Sequence, residues 1–309
     1  MQRRATLHEA VLSVPSHFDR NEFPERDMRS IGRRGSIRAF KAGASGPSAS
    51  GPSAPHAQSL PTIDRREPPA SASNVSQTLS AAIFDVDGVL LASPHERAWR
   101  EALHDFGDQA RFTTAMYQSE VAGKPRLSGA LAALQALGLP NAGKQAAAYA
   151  ERKQIRLEEL IGAGSVNAFP DALRFVLALR GLGWSIAVAS SSKNANGMMR
   201  RISVNPDHSL FDVFSANVCG VDLRHGKPNP EIFLRAAAEL RAVPAQCFVA
   251  EDAPAGIEAA RAGGMVALGT ARLGDAALLW AAGANLVVTS LDELDINELS
   301  HGRLWRRSL

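Results

Sequence analysis

The stretch Ile83-Phe84-Asp85-Val86-Asp87-Gly88-Val89 constrains this chain more than any other. An apolar run that ends in two carboxylates and a glycine reads as a buried parallel strand whose carboxyl end meets a ligand crevice. Taken alone, Asp-x-Asp-Gly is more often a turn or cation-binding loop than the seat of a nucleophile. The reading depends on what the other strand ends supply.

Downstream, apolar runs alternate with helical patterns. Ser185 to Ala189, Val213 to Val218, Cys247 to Ala250, Met265 to Leu268 and Asn285 to Val288 read as strands, and Ala172 to Leu182, Pro230 to Leu240 and Ala253 to Ala262 as helices. That alternation predicts an α/β fold, a Rossmann-like parallel sheet covered by helices on both faces. Between the first strand and Phe169-Pro170-Asp171 no strand pattern stands out. Pro94 to Phe106, Leu127 to Leu137 and Lys144 to Ile161 read as helices, with Trp99 and Leu103 on one face. The expected division is an α/β core over residues 79–96 and 166–300, interrupted by an all-helical insertion over 97–165.

Residues 1–78 differ from the rest. They hold 11 Lys/Arg against 7 Asp/Glu, leaving 23 against 24 for the remainder, so the formal charge of +3 belongs to this end. Ser, Pro, Ala and Gly dominate from Ala42 onward, a composition that buries too little apolar surface to offset chain entropy, and a disordered extension is expected. A mobile tail or over-extended start, a targeting peptide, and a basic arm for an anionic partner compete as its role. Arg33-Arg34-Gly35-Ser36 is a short candidate modification or binding motif. The near-neutral remainder carries no electrostatic footprint for nucleic acid. No segment reaches the roughly 18 consecutive apolar residues of a membrane span, and no apolar block of a secretory signal is seen near the N-terminus. Cys219 and Cys247, outside any CxxC spacing, read as buried free thiols. The expectation is a cytoplasmic monomer.

Three strand ends carry chemistry: Asp85 and Asp87, Ser190 to Asn194, and Glu251-Asp252. Phosphoryl transfer without a nucleotide loop needs a nucleophile, an acid/base, a metal, a cation and phosphate-binding donors. Asp85 suits a carboxylate nucleophile and Asp87 the proton carrier. Asp85, the backbone carbonyl of Asp87, and Asp252 offer the hard oxygens that Mg²⁺ prefers, with Glu251 ligating directly or orienting a water. Ser190, Ser191 and nearby amides would bind phosphoryl oxygens, and Lys227 would balance their charge.

These segments, with Gly226-Lys227-Pro228-Asn229-Pro230 and Ala250 to Gly256, resemble the four ordered motifs of the haloacid dehalogenase superfamily. The resemblance implies a helical cap inserted after the first motif. Finer matches are similar to the beta-phosphoglucomutase subgroup: His95-Glu96-Arg97-Ala98-Trp99, whose histidine would couple cap closure to acid/base positioning, and Ser192-Lys193-Asn194 with Arg126, which would hold the phosphate that is not reacting. Arg152-Lys153 resembles a cap-helix pair whose lysine contacts the sugar. Ala92 stands where many relatives carry an acidic residue. The resemblance implies a Mg²⁺-dependent mutase acting on a hexose phosphate, with a sugar-phosphate phosphatase as the alternative. From another class, a non-catalytic binding protein with a basic tail would have these motifs without turnover.

Overall fold

In the computed structural model the described residues are 78–307. All but the last residue of the expected extension, and with it the Arg33 to Ser36 motif, lies outside them.

The sheet is built on β1 (Ala81–Phe84), which is buried throughout. It pairs in parallel with β4 (Ser185–Val188) on one side and β8 (Cys247–Glu251) on the other. β7 (Ala216–Asn217) extends the first side, and β9 (Val266–Thr270) and β10 (Leu286–Val288) the second, giving six parallel strands in the order β10-β9-β8-β1-β4-β7. The chain therefore leaves β1 in one direction and later returns to its other side. Such a switch point opens a crevice at the carboxyl end of the central strand.

Both faces of the sheet are covered, so its strands read as continuous apolar runs. Ala82, Phe84, Ile186, Val188, Phe248 and Ala250 face one hydrophobic layer, which includes Phe175 and Val176 of α5 (Pro170–Gly181). Ala81, Ile83, Ala187 and Val249 face the other, built on α7 (Glu231–Glu239) and α8 (Pro254–Ala262). Pro170 and Pro254 each occupy the first turn of their helix, where no backbone N–H is missed. Cys219 and Cys247 are free and buried.

Between the first two core strands the chain is helical, as expected. α1 (His95–Ala102), α2 (Thr114–Met116), a π-helical turn at Tyr117–Val121, α3 (Arg126–Ala136) and α4 (Ala142–Gly162) form a cap with its own core of Trp99, Leu103, Phe112, Leu134 and Tyr149. The Tyr149 hydroxyl donates to the Trp99 carbonyl at 2.8 Å, which satisfies the polar end of a fully buried ring.

Two features differ from the sequence reading. The strand expected over Val213 to Val218 is only Ala216–Asn217, because Leu210–Val213 winds into a 3-10 turn closed by a Ser209/Asp212 capping box. Where no strand was expected, Leu91–Ala92 (β2) pairs antiparallel with Asn167–Ala168 (β3). This two-stranded ribbon ties together the two passages between core and cap.

Candidate active site

Asp85 directly follows β1, and its backbone N–H still donates to the Ala250 carbonyl at 3.0 Å, so the strand pairing fixes its position. One carboxylate oxygen, Oδ1, accepts from Lys227 Nζ at 2.6 Å; the other, Oδ2, accepts from the Asp87 N–H at 3.0 Å. Lys227 also pairs with Glu251, and its ammonium lies 5.0 Å from the centre of the Phe233 ring. Burial by itself would push the Lys227 ammonium down, but Asp85 and Glu251 more than reverse this and hold it protonated. Glu251 has its second oxygen occupied by the N–H groups of Asp252 and Ala253, at 3.0 and 3.2 Å. Both its oxygens accept hydrogen bonds, one from Lys227 and the other from these two amides, so Glu251 holds Lys227 beside Asp85.

Gly88 has φ +80°, and a side chain there would run into the carboxylate of Asp252. Only glycine lets the loop after β1 pass this close to the end of β8. Asp252 is buried among Glu251, Asp85 and Asp87; burial first, then these charges, push its carboxyl well above the usual range, and no hydrogen bond holds its charged form. Asp87 Oδ1 is buried without a hydrogen-bond partner. Burial raises the carboxyls of Asp85 and Asp87 as well. Among the described residues no three His, Cys, Asp or Glu side chains form a ready cation cage. The surplus of buried carboxylate over Lys227 nevertheless fits a hard divalent cation held by two carboxylates and a backbone oxygen.

His95 begins α1 beside this loop. Its Nδ1 shares a hydrogen bond with Ser93 Oγ at 3.0 Å and lies 3.3 Å from Asp87 Oδ1; its Nε2 meets Ser192 Oγ at 3.3 Å. Burial, and then the charge of Lys153, push the imidazole well below its ordinary value, so the ring is neutral. His95 thus touches the Asp85–Asp87 loop and the end of β4 together.

A cavity of about 320 Å³ lies between core and cap. Asp85, Asp87, His95 and Ser190 line it with the expected cap residues Arg126 and Lys153, and Ser191, Ser192, Lys193 and Asn194 complete the β4 side. Ser190 Oγ accepts from the Ser192 N–H at 3.1 Å, which folds this loop into a tight turn at the cavity wall. The cap rests on the core: Ser191 Oγ donates to the Gly123 carbonyl at 3.3 Å, and Pro125 packs where a side chain at Gly226 would be. Lys153 is buried with its ammonium 5.0 Å from the Trp99 ring centre, whereas Arg152 points outward to Asp105 at 2.8 Å. Lys193 sits on the rim, and its Nζ donates to Asp222 at 3.0 Å. Lys227 is set behind Asp85 and does not line the cavity; its charge acts on the cavity through the Asp85 carboxylate it holds.

Sequence reasoning missed three groups here. Gln154 exchanges hydrogen bonds with Asn194 at 3.3 and 3.4 Å, and Asp222 pairs with Lys193. Tyr117 lines this cavity and an adjoining one of about 290 Å³ on the far side of Asp87. Its one sequence signal is an aromatic residue in a stretch otherwise rich in small and polar residues.

A parallel sheet with paired carboxylates at its switch point, a buried lysine behind them and a helical cap over them defines a phosphoryl-transfer type of architecture. The family model for haloacid dehalogenase-like hydrolases matches residues 79–264, and the chain belongs to that family. Within it the chain falls in the beta-phosphoglucomutase-like subgroup. It is 32% identical over 247 residues to the beta-phosphoglucomutase of Mycobacterium bovis, covering 71% of this chain and 92% of that one. It is 30% identical over 193 residues to a phosphorylated carbohydrates phosphatase of Thermotoga maritima, covering 60% and 82%. The crystal structure of the archaeal beta-phosphoglucomutase of Pyrococcus sp. strain ST 04 superposes with a TM-score of 0.55 at 32% identity, over 71% of this chain and 96% of that one. Among the described residues no helix is long and apolar enough to cross a membrane.

Proposed function

We propose that the protein is a Mg²⁺-dependent beta-phosphoglucomutase that interconverts beta-glucose 1-phosphate and glucose 6-phosphate. One observation carries this reading: the cavity that holds Asp85 and Asp87 is also lined by Arg126, Lys193 and Asn194. A phosphatase needs one phosphate site. A mutase must hold a bisphosphate in either orientation, and so needs a second set of donors away from the nucleophile.

Asp85, Asp252 and the Asp87 carbonyl would hold Mg²⁺, which when bound offsets the charge of the transferring phosphoryl group. Asp85, phosphorylated, transfers its phosphoryl group to the free C6 hydroxyl of the hexose 1-phosphate as Asp87 removes the hydroxyl proton. The bisphosphate turns over within the cavity. Asp85 then attacks the phosphorus at C1, the bond from phosphorus to the sugar oxygen breaks, and Asp87 returns the proton to that oxygen. Burial, which raises the Asp87 carboxyl, suits a group that carries a proton for part of the cycle. His95 is neutral and joins the Asp87 loop to Ser192, and Lys227 neutralises Asp85 from behind. Arg126, Lys193 and the Ser192 and Asn194 donors take the phosphate that is not reacting, and Lys153 meets the sugar. Soluble, cytoplasmic and monomeric behaviour belongs to the same proposal.

Lys193→Ala tests the second phosphate site. It is expected to slow isomerisation at least about tenfold while leaving hydrolysis of a small phosphate ester within about twofold. Equal loss on both would favour a phosphatase using one phosphate site.

A further inference from the structure

Arg272 stands just beyond β9, and its guanidinium joins stretches of chain that are remote in sequence. Nε donates to the Gly88 carbonyl and Nη2 to the Val89 carbonyl, each at 3.1 Å. Nη1 reaches both carboxylate oxygens of Asp171, at 3.2 and 3.0 Å. The same guanidinium lies 3.8 Å from the centre of the Phe169 ring, and the Phe169 N–H donates to the Leu90 carbonyl at 3.0 Å. Asp171 accepts in turn from Ser290 Oγ at 2.9 Å and the Leu291 N–H at 2.7 Å. The Arg272 and Asp171 side chains are only 12% and 9% exposed.

Gly88 and Val89 follow Asp87 directly, whereas Phe169 and Asp171 follow β3, where the chain returns from cap to core. A planar, charged fork that binds both sides fixes two consecutive peptide planes of the nucleophile loop relative to the hinge. A lysine cannot reproduce that pattern, since its single nitrogen cannot reach two carbonyls and a carboxylate in one plane.

We propose that Arg272 is a positioning residue: oriented by Asp171, it locks the turn after Asp87 to the core-cap hinge, so that cap closure and the placement of the acid/base are set together. The catalytic part of this inference rests on the reading of Asp87 as the proton carrier.

The test compares p-nitrophenyl phosphate with a hexose phosphate in wild type, Arg272→Met, Arg272→Lys and Asp171→Asn, with Mg²⁺ present. The aryl oxygen leaves as a stabilised anion and needs little help from Asp87, whereas a sugar oxygen needs its proton. Arg272→Met is expected to lose about tenfold more kcat on the hexose phosphate than on the aryl ester, with KM for the hexose phosphate little changed and Arg272→Lys recovering only part. Equal losses on the two esters, or none, overturn the catalytic role. A second measurement does not depend on turnover: amide hydrogen exchange at Leu91 and Phe169 is expected to quicken about tenfold or more in Arg272→Met, with Ile83 and Val249 unchanged. Unchanged exchange at Leu91 and Phe169 overturns the lock itself. If the wild type turned over neither ester, the functional reading would fail, and the exchange result would still decide whether Arg272 ties loop to hinge.

Discussion

Lys227 Nζ lies 2.6 Å from Asp85 Oδ1 with its own side chain wholly buried. The pair links the end of β1 to the loop before α7, and Glu251 closes it from β8. Removing the cation would leave two buried carboxylates facing each other without compensation. Lys227→Met is therefore expected to abolish turnover and to lower stability by about 3–5 kcal/mol, read from urea unfolding. A variant as stable as the wild type would mean that the carboxylates find other partners.

Lys153 sets a pH limb. Burial, chiefly, pushes its ammonium down to about 8; the charge of Asp87 opposes this and that of Arg126 adds to it. A lowered lysine is charged below that value and loses its proton as pH rises through it. If the charged form meets the sugar, kcat/KM falls as pH rises through about 8 in the free enzyme. Lys153→Met is expected to have lower activity overall and no such limb. A limb unchanged in the variant would assign it to another group.

Gly88→Ala tests the approach of the nucleophile loop to Asp252. The substitution strains a φ of +80° and drives a methyl group into that carboxylate. It is expected to cost more than about 1 kcal/mol and to raise the Mg²⁺ concentration needed for half-maximal activity, because Asp252 must move. Urea melts and a Mg²⁺ titration of activity check both parts, and a wild-type Mg²⁺ requirement would argue against Asp252 as a ligand.

The parts of the fold legible in the sequence were those with many residues voting together. β1, β4 and β8 are buried on both faces and stand out as apolar runs, and α4 carries a pattern of more than five turns, Ala142–Gly162. The β2–β3 ribbon was not legible, since two residues on each side make no period, and its existence depends on partners some 75 positions apart. The strand expected over Val213 to Val218 was shortened to Ala216–Asn217, with Val213 drawn into the 3-10 turn that the Ser209/Asp212 capping box closes. In the site, carboxylates at strand ends were readable because a loop after a parallel strand has one place to go. That Glu251 pairs with Lys227 was not, as its orientation is set by backbone amides one and two residues on. Gln154, Asp222, Tyr117 and Arg272 matter only through neighbours supplied by the tertiary fold.

The central claim is that Asp85 hands its phosphoryl group to a sugar hydroxyl rather than to water. Purified protein with Mg²⁺, beta-glucose 1-phosphate and a trace of the bisphosphate, sampled over time for glucose 6-phosphate and inorganic phosphate together, tests it directly. Glucose 6-phosphate as the main product, lost in Asp85→Ala, is the expected result. Inorganic phosphate as the main product would contradict the mutase and leave a sugar-phosphate phosphatase.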